Sequence, residues 1–303
     1  MPYGYNRRIL HVNLSTGALT VEEPDDAFYR RYMGGTNMGM HYILQQMPAG
    51  ADPLGPENVL TIFAGVLTGV PFSGQSRISV NAKSPLTGAI GDSQAGGFFP
   101  AELKFAGFDG LVVTGESATP VYLWLHDGQA ELRPADHLWG LGAWNTETRL
   151  REELEDDKVE VACVGQGGEN LVRYAAIMNM RNRAAGRTGM GAVMGAKKLK
   201  AIAVRGRKSP EVADPAGVKA IARLGAKEYK ANNGMTELGE LGTAGVVMSQ
   251  EFSGGLPTRN YQSGHFEHCE DISGERMAET ILVDRDTCYA CVVRCKREVE
   301  FDN

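Results

Sequence analysis

The sequence predicts an α+β protein of two domains, on three observations. Apolar residues make up 43% and charged residues 22% of the 303, the balance of a globular chain long enough for two ordinary cores. The first two-thirds reads as short strands with helices set among them. Beyond Gly206 the texture changes, because "RKSPEVADPAG" is a proline-bearing linker and the segments after it read mainly as helices. The boundary falls near Pro210, giving domains of 1–209 and 210–303.

In chain order, "RILHVNLS" and "ALTVEE" alternate as strands around the turn pair Thr16-Gly17, which predicts a hairpin. "DDAFYRRYMGG" has an acidic first turn, helical spacing and a Gly-Gly stop, and "MGMHYILQQM" reads as a second short helix. Strands follow at "NVLTIFAG", "SRISVNAK", "GLVVTGE", "VYLWLHDG" and "AELRP", each bounded by glycine, proline or aspartate. "TETRLREELEDD" is a charged amphipathic helix, and "KVEVACVG" and "LKAIAVRG" are further strands. After the linker, "AGVKAIARLGAKEYKA", "TELGELGTAGVVMSQEF" and "GERMAETILV" carry helical spacing. An internal echo is visible too. "AGGFFPAELKFAGFDGLVVTGE" and "AGRTGMGAVMGAKKLKAIAVRGR" both run from a glycine-rich loop through a short helix into a strand closed by Gly115 or Gly206.

Several function classes are disfavoured. No apolar stretch reaches spanning length, since "NVLTIFAGVLTGVPF" is broken by glycine and proline, and no secretory h-region follows the N-terminal arginines. The chain is therefore expected to be cytoplasmic, with no membrane contact. A net charge of −6 argues against a general nucleic-acid binder. Five cysteines, with three packed together, do not suit a secreted disulfide framework.

Chemistry points first to the two glycine-rich loops. Glycine lets backbone approach a ligand closely, and free amides at a following helix start attract anions. The second loop, "RNRAAGRTGMG", adds Arg181, Arg183 and Arg187, whose forks suit phosphate oxygens. The plainer alternative has the glycines making turns and the arginines in solvent. Gly189-Met190-Gly191 is not a dinucleotide fingerprint, because no clean strand leads into it and the third glycine comes one residue late.

The other candidate is "CYACVVRC". Its CxxCxxxC spacing places Cys288, Cys291 and Cys295 on one turn-and-helix unit, with the thiolates an iron–sulfur cluster demands. A zinc ion would take its fourth ligand from His265, His268 or Cys269, and a redox CxxC pair would leave Cys295 spare. Spacing leaves these readings open. Cys163 reads as a core residue, and His11, His41, His126 and His137 as structural or exposed. Asp92, Glu102 and Glu169 form no pair at acid/base spacing, so no general base is identified.

With these residues in view, the chain resembles the N-terminal half of the tungsten-dependent aldehyde ferredoxin oxidoreductase family. The likeness runs through "ILHVNLSTG", "GVLTGVPFSGQSRISVNAKSPLTG", "GGFFPAELKFAGFDGLVV", "VGQGGENLVRYAAIMN", "RAAGRTGMGAVMGAKKLKAIAV" and "CYACVVRC". The resemblance implies a first domain of two β-sheets with pseudo-twofold symmetry and flanking helices, followed by an incomplete α-helical domain. It implies a tungsten (or molybdenum) bis-molybdopterin cofactor whose phosphates meet at Mg2+. Arg77 would lie between pterin and cluster, Gln94 and Gly96 on the first loop, and Arg183, Ala184, Gly186 and Arg187 on the second. Gln94 and Ala184 would turn backbone carbonyls to the magnesium ion, and Cys288, Cys291 and Cys295 would be three of four ligands of a [4Fe-4S] cluster.

The implied activity is oxidation of a small aldehyde to a carboxylic acid, with electrons passed to ferredoxin or another electron-transfer subunit. A tungsten-dependent reductase of the benzoyl-CoA type and a non-catalytic cofactor-binding fragment are the alternatives, and a homo-oligomer stays open. Three departures stand out: Gln94 replaces the common Asn, "NRAAGRTG" replaces "HRAAGRGG", and "GGTNMGM" replaces "GGRGLA". The family's fourth cluster cysteine and its acid/base side chains lie in a C-terminal half beyond these residues. The chain alone is therefore expected to be inactive, with apolar faces exposed after Pro210.

Overall fold

A computed structural model describes residues 3–301. Its backbone groups into two compact units, one formed by Met1–Val70 with Gln75–Ala213, the other by Pro71–Gly74 with Asp214–Asn303.

Among the described residues the first unit holds twelve strands in two sheets. In its first half, β1 (Ile9–Asn13) and β2 (Ala18–Glu22) form the expected hairpin, followed by α1 (Asp26–Tyr32) and α2 (Thr36–Gln46). Then come β3 (Leu60–Ala64), β4 (Ile78–Lys83), β5 (Ile90–Ala95), α3 (Phe99–Phe105) and β6 (Gly110–Thr114). The second half runs β7 (Val121–His126), β8 (Gln129–Pro134), α4 (Ala143–Glu153), β9 (Glu160–Cys163) and α5 (Gln166–Glu169). It finishes with β10 (Ile177–Asn179), β11 (Arg183–Ala185), α6 (Met190–Ala196) and β12 (Leu199–Arg205).

The sheets share one plan. The first has the order β2-β1-β6-β3-β4-β5, and the second, read from the far edge, β8-β7-β12-β9-β10-β11. Adding six to each label converts one into the other. In each sheet one pair is parallel, β1 with β6 and β7 with β12, and every other pair is antiparallel. The sequence echo is thus the visible part of a repeated topology, as the expected pseudo-twofold plan requires.

Alternation along the strands decides which face is buried against what. Leu10, Val12, Leu60, Ile62, Leu111 and Val113 of the first sheet share one core with Leu123, Leu125, Ala162, Ile202 and Val204 of the second. Helices α3 and α6 contribute Phe99, Leu103, Met190, Val193 and Met194 to it. The opposite face of the first sheet, with Ile9, Phe63 and Val112, is covered by Tyr29 of α1 and by Met38, Tyr42 and Ile43 of α2. On the second sheet, Tyr122, Trp124, Val161 and Ala203 pack with Leu150 of α4. Strands covered on both faces read as continuous apolar runs, which is why β3 and β12 were legible.

Helix α6 packs closely through glycine. A Cβ on Gly191 would stand 2.4 Å from the Ala176 carbonyl oxygen, so this glycine serves packing. Two buried carboxylates flagged in the sequence are also structural: Glu169 pairs with the buried Lys200 Nζ at 2.5 Å, and Glu102 accepts the Gly206 N–H at 2.9 Å. Burial, as the largest cause, raises the Glu102 carboxyl above its ordinary range.

The second unit contains α7 (Pro215–Tyr229), α8 (Asn233–Leu241), α9 (Val246–Phe252), α10 (Gly274–Thr280), β13 (Leu282–Asp286) and β14 (Lys296–Val299). Side chains of Asp214, Asn232 and Ser273 cap α7, α8 and α10. Helices α7 and α9 bury no residue, and Ile221, Leu224 and Phe252 are exposed.

Three readings need correction. The first glycine-rich segment begins as strand β5, and the second is preceded by the short strands β10 and β11, so a strand does lead towards Gly189. Helix α2 starts at Thr36, ahead of the expected "MGMHYILQQM". The cysteines sit on the connection of a β-hairpin and not on a turn-and-helix unit. Ala290 and Arg294 adopt left-handed φ of 55° and 50°, which interrupts any helix there.

Candidate cofactor-binding loops and cysteine hairpin

Strands β5 and β11 are each the last strand of their sheet, and they deliver their following loops to one place. The Arg187 N–H donates to Ser93 Oγ at 3.0 Å, and the Phe98 N–H lies 2.9 Å from Met180 Sδ. Gly97, at φ +112°, makes this approach feasible. A Cβ there would meet Asn179 Oδ1 at 2.6 Å and Met180 Sδ at 2.8 Å. A third segment joins them, because the buried Ser76 hydroxyl donates to the Gly97 carbonyl at 2.6 Å. Arg77 follows Ser76 and directly precedes β4, whose Ile78 pairs with Ala95.

The residues named from sequence therefore gather around three adjoining backbone segments. Gln94 points outward from β5 opposite Ser79, and Gly96 follows at the strand end. Arg183 is buried on β11 and donates from Nη1 to Asn182 Oδ1 at 2.7 Å. Ala184 is exposed opposite Met178, and Gly186 is open, with nothing nearer than 3.6 Å to an added Cβ. Arg77 and Arg187 are exposed, and among the described residues neither forms an ion pair. Arg181, the third cation of the loop, is diverted. Its Nε donates to the buried Glu147 at 3.1 Å, and its guanidinium lies 3.9 Å from the Trp144 ring centroid, so it is neither open to a phosphate nor in solvent.

A cleft of about 330 Å³ adjoins the first loop, lined by Gln94, Ser79, Gly34, Gly35 and Thr36. Its floor includes the start of α2, whose N-cap Gly35 supplies no capping side chain. Amides at such a helix start attract anions. Sequence reasoning noted "GGTNMGM" only as a departure and missed Ser76, Ser79 and Ser93 altogether. A glycine pair ahead of an uncapped helix was the available signal.

The donor set fits a phosphorylated, magnesium-bridged group. Two exposed guanidinium forks have no carboxylate partner among the described residues, an uncapped helix end stands nearby, and the buried Asn179 Oδ1 beside the loops has no hydrogen-bond donor. Outer strands also leave alternate carbonyls outside the ladder, which suits a hard cation.

In the second unit the three cysteines occupy the connection between β13 and β14, and all are free thiols of intermediate exposure. The Cys291 N–H donates to the Cys288 carbonyl at 3.1 Å, while the Thr287 hydroxyl lies 3.1 Å from the Cys288 carbonyl and 2.8 Å from that of Cys291. Among the described residues no three His, Cys, Asp or Glu side chains gather closely enough for a single metal ion. His265 Nδ1 is engaged by Glu251 at 3.0 Å and His268 Nδ1 by Asp271 at 3.3 Å. Thiolates are the ligands that a four-iron cube takes, and the three cysteines share one connection between two strands. Cys163 is unlike them, since burial pushes its thiol up to about 12.

Comparison with known proteins gives the family. The pattern described as aldehyde ferredoxin oxidoreductase, N-terminal domain, matches residues 9–206, and that of domains 2 and 3 matches 219–303. The chain belongs to the aldehyde ferredoxin oxidoreductase family. It is 45% identical over 298 residues to the tungsten-containing aldehyde ferredoxin oxidoreductase of Thermococcus kodakarensis, and 44% identical to that of Pyrococcus furiosus. Each alignment covers 97% of this chain and 49% of the relative, so the chain spans about half the length of these family members. The WOR-like subunit of an aliphatic sulfonate oxidoreductase from Pyrococcus furiosus is 33% identical over 312 residues, with the same shares covered. Among solved structures, the active-site complex BamBC of benzoyl coenzyme A reductase, bound to 1,5-dienoyl-CoA, superposes with a TM-score of 0.87 at 30% identity. That match covers 100% of this chain and 48% of the other. No helix among the described residues is long and apolar enough to cross a membrane.

Proposed function

We propose that this chain forms the cofactor-holding part of a tungsten oxidoreductase that converts aldehydes to carboxylic acids and passes electrons to ferredoxin. The meeting of the β5 and β11 loops carries the reading, because it joins arginine-bearing backbone, open glycine and two edge strands. Arg77, Arg183 and Arg187, with loop amides, hold pterin phosphates. Gln94 and Ala184 offer carbonyl oxygens to Mg2+, Gly96 and Gly186 give the pterins room, and Cys288, Cys291 and Cys295 hold a [4Fe-4S] cluster with a fourth ligand from outside these residues.

When bound, the metal centre would take up the two electrons released as the aldehyde gains an oxygen atom from water, and the cluster would accept them singly. The residues of this chain bind and orient. The three carboxylates beside the glycine runs are engaged: Asp92 accepts from Asn81 at 3.1 Å, and Glu102 and Glu169 are held as described. The 303-residue chain by itself is expected to oxidise no aldehyde. The reading includes cytoplasmic placement.

A second reading, reduction of an aromatic acyl thioester, rests on the superposition with the benzoyl-CoA reductase complex. The protein, purified anaerobically from cells grown with tungstate and carrying the whole gene, separates the two. Viologen reduction with benzaldehyde and no turnover of benzoyl-CoA supports the first reading, and the reverse overturns it.

A further inference from the structure

Pro71–Gly74 belongs to the compact unit that contains the cysteine hairpin, although it lies far from it in sequence. Ser73 stands there 3.5 Å from Cys291 Sγ through its own Oγ. The same Oγ accepts the Val292 N–H at 3.2 Å. The two contacts together orient the hydroxyl. With a lone pair taken by the amide, the O–H is left to donate, and a cluster-bound thiolate has no proton of its own to give in return.

We propose that Ser73 is a positioning residue that sets the reduction potential of the cluster held by Cys291, by donating a hydrogen bond to that sulfur. The inference rests on the cluster reading above. Reduction adds one electron to the cluster and its sulfurs, no atom of Ser73 is transferred, and the O–H stays on the serine. A donor to sulfur is attracted more strongly by the more negative state, so it favours the reduced cluster and raises the potential.

The test is potentiometric titration, read by electron paramagnetic resonance, of the anaerobically purified whole-gene protein and its Ser73→Ala and Ser73→Thr forms. Iron is measured on each sample. Ser73→Ala should keep its iron and favour the oxidised state by about tenfold, which is ~59 mV for a one-electron couple. Ser73→Thr, which keeps the hydroxyl, should titrate with the unaltered protein. Ser73→Gly removes the same donor and replaces the alanine form if that form fails to fold. An iron-loaded alanine or glycine form within twofold of the unaltered protein overturns the role of Ser73 and leaves the cluster reading standing. An unaltered protein that folds without iron overturns the cluster reading itself, and the inference with it.

Discussion

Gln94 on β5 and Ala184 on β11 occupy the same register position in two sheets of one plan. Gln94 opposes Ser79 where Ala95 opposes Ile78, and Ala184 opposes Met178 where Ala185 opposes Ile177. One repeated unit thus presents its edge strand twice, and the loops that follow begin alike with Gly96 and Gly186. The proposed bis-pterin cofactor, with two similar ends, would match that repeat.

Closeness of the two loops depends on Gly97. Gly97→Ala would place a methyl against Asn179 and Met180 at a φ that disfavours side chains. A destabilisation of about 1–3 kcal/mol is expected, with loss of bound metal. Gly142→Ala, where nothing lies within 4 Å and φ is −68°, is expected to stay within about 0.5 kcal/mol. Urea denaturation of both checks this.

The arginines of the second loop should separate by role. Arg187→Ala removes an exposed guanidinium with no ion pair among the described residues, so stability should change by less than about 0.5 kcal/mol while tungsten content falls. Arg187→Lys should not restore it fully, because a lysine lacks the planar fork. Arg181→Ala should do the opposite. It strips a partner from Glu147, which burial already pushes towards its neutral form, and should cost about 1–3 kcal/mol with metal content per folded molecule unchanged. Calorimetry paired with metal analysis distinguishes the two patterns.

Lys197 gives the fold a pH signature. Its Nζ lies 3.0 Å from the Gly115 carbonyl and 3.4 Å from that of Pro56, and burial lowers its pKa from the ordinary lysine value of 10.5 to about 8. Between these values the unfolded chain binds the extra proton, so this residue makes stability rise with pH from about 8 to about 10.5 and removes that gain as pH falls through 8. The upper bound is about 3 kcal/mol. Lys197→Met should abolish this slope, seen as the difference in urea midpoints between the two proteins across the window.

The legible parts of the fold were those whose burial leaves a simple pattern. Strand β3 is a continuous apolar run, and the β1–β2 hairpin advertises itself through Thr16-Gly17. Strand β5 escaped because its inward residues are Gly91, Ser93 and Ala95, small enough to hide the alternation. Strands β10 and β11 have three residues each, too few for a period. The cysteine hairpin escaped because "LVDRD" and "KREV" are charged and only partly buried. At the candidate site, arginines beside glycines were visible as a type. Whether each faced a ligand or a carboxylate was not, since Glu147 meets Arg181 across 34 residues and Ser73 meets Cys291 across 218.

Exposed apolar residues on α7 make a further prediction. Ile221→Ser with Leu224→Ser should leave the stability of the 303-residue chain within about 0.5 kcal/mol and increase its solubility, since neither side chain is buried. A loss of several kcal/mol in a denaturation curve would show that α7 packs on this unit.

The most direct measurement is metal analysis of the whole-gene protein, purified anaerobically from tungstate-grown cells and shown to be folded. Tungsten together with about four irons per chain is the predicted result. Folded protein with neither tungsten, molybdenum nor iron would contradict the account.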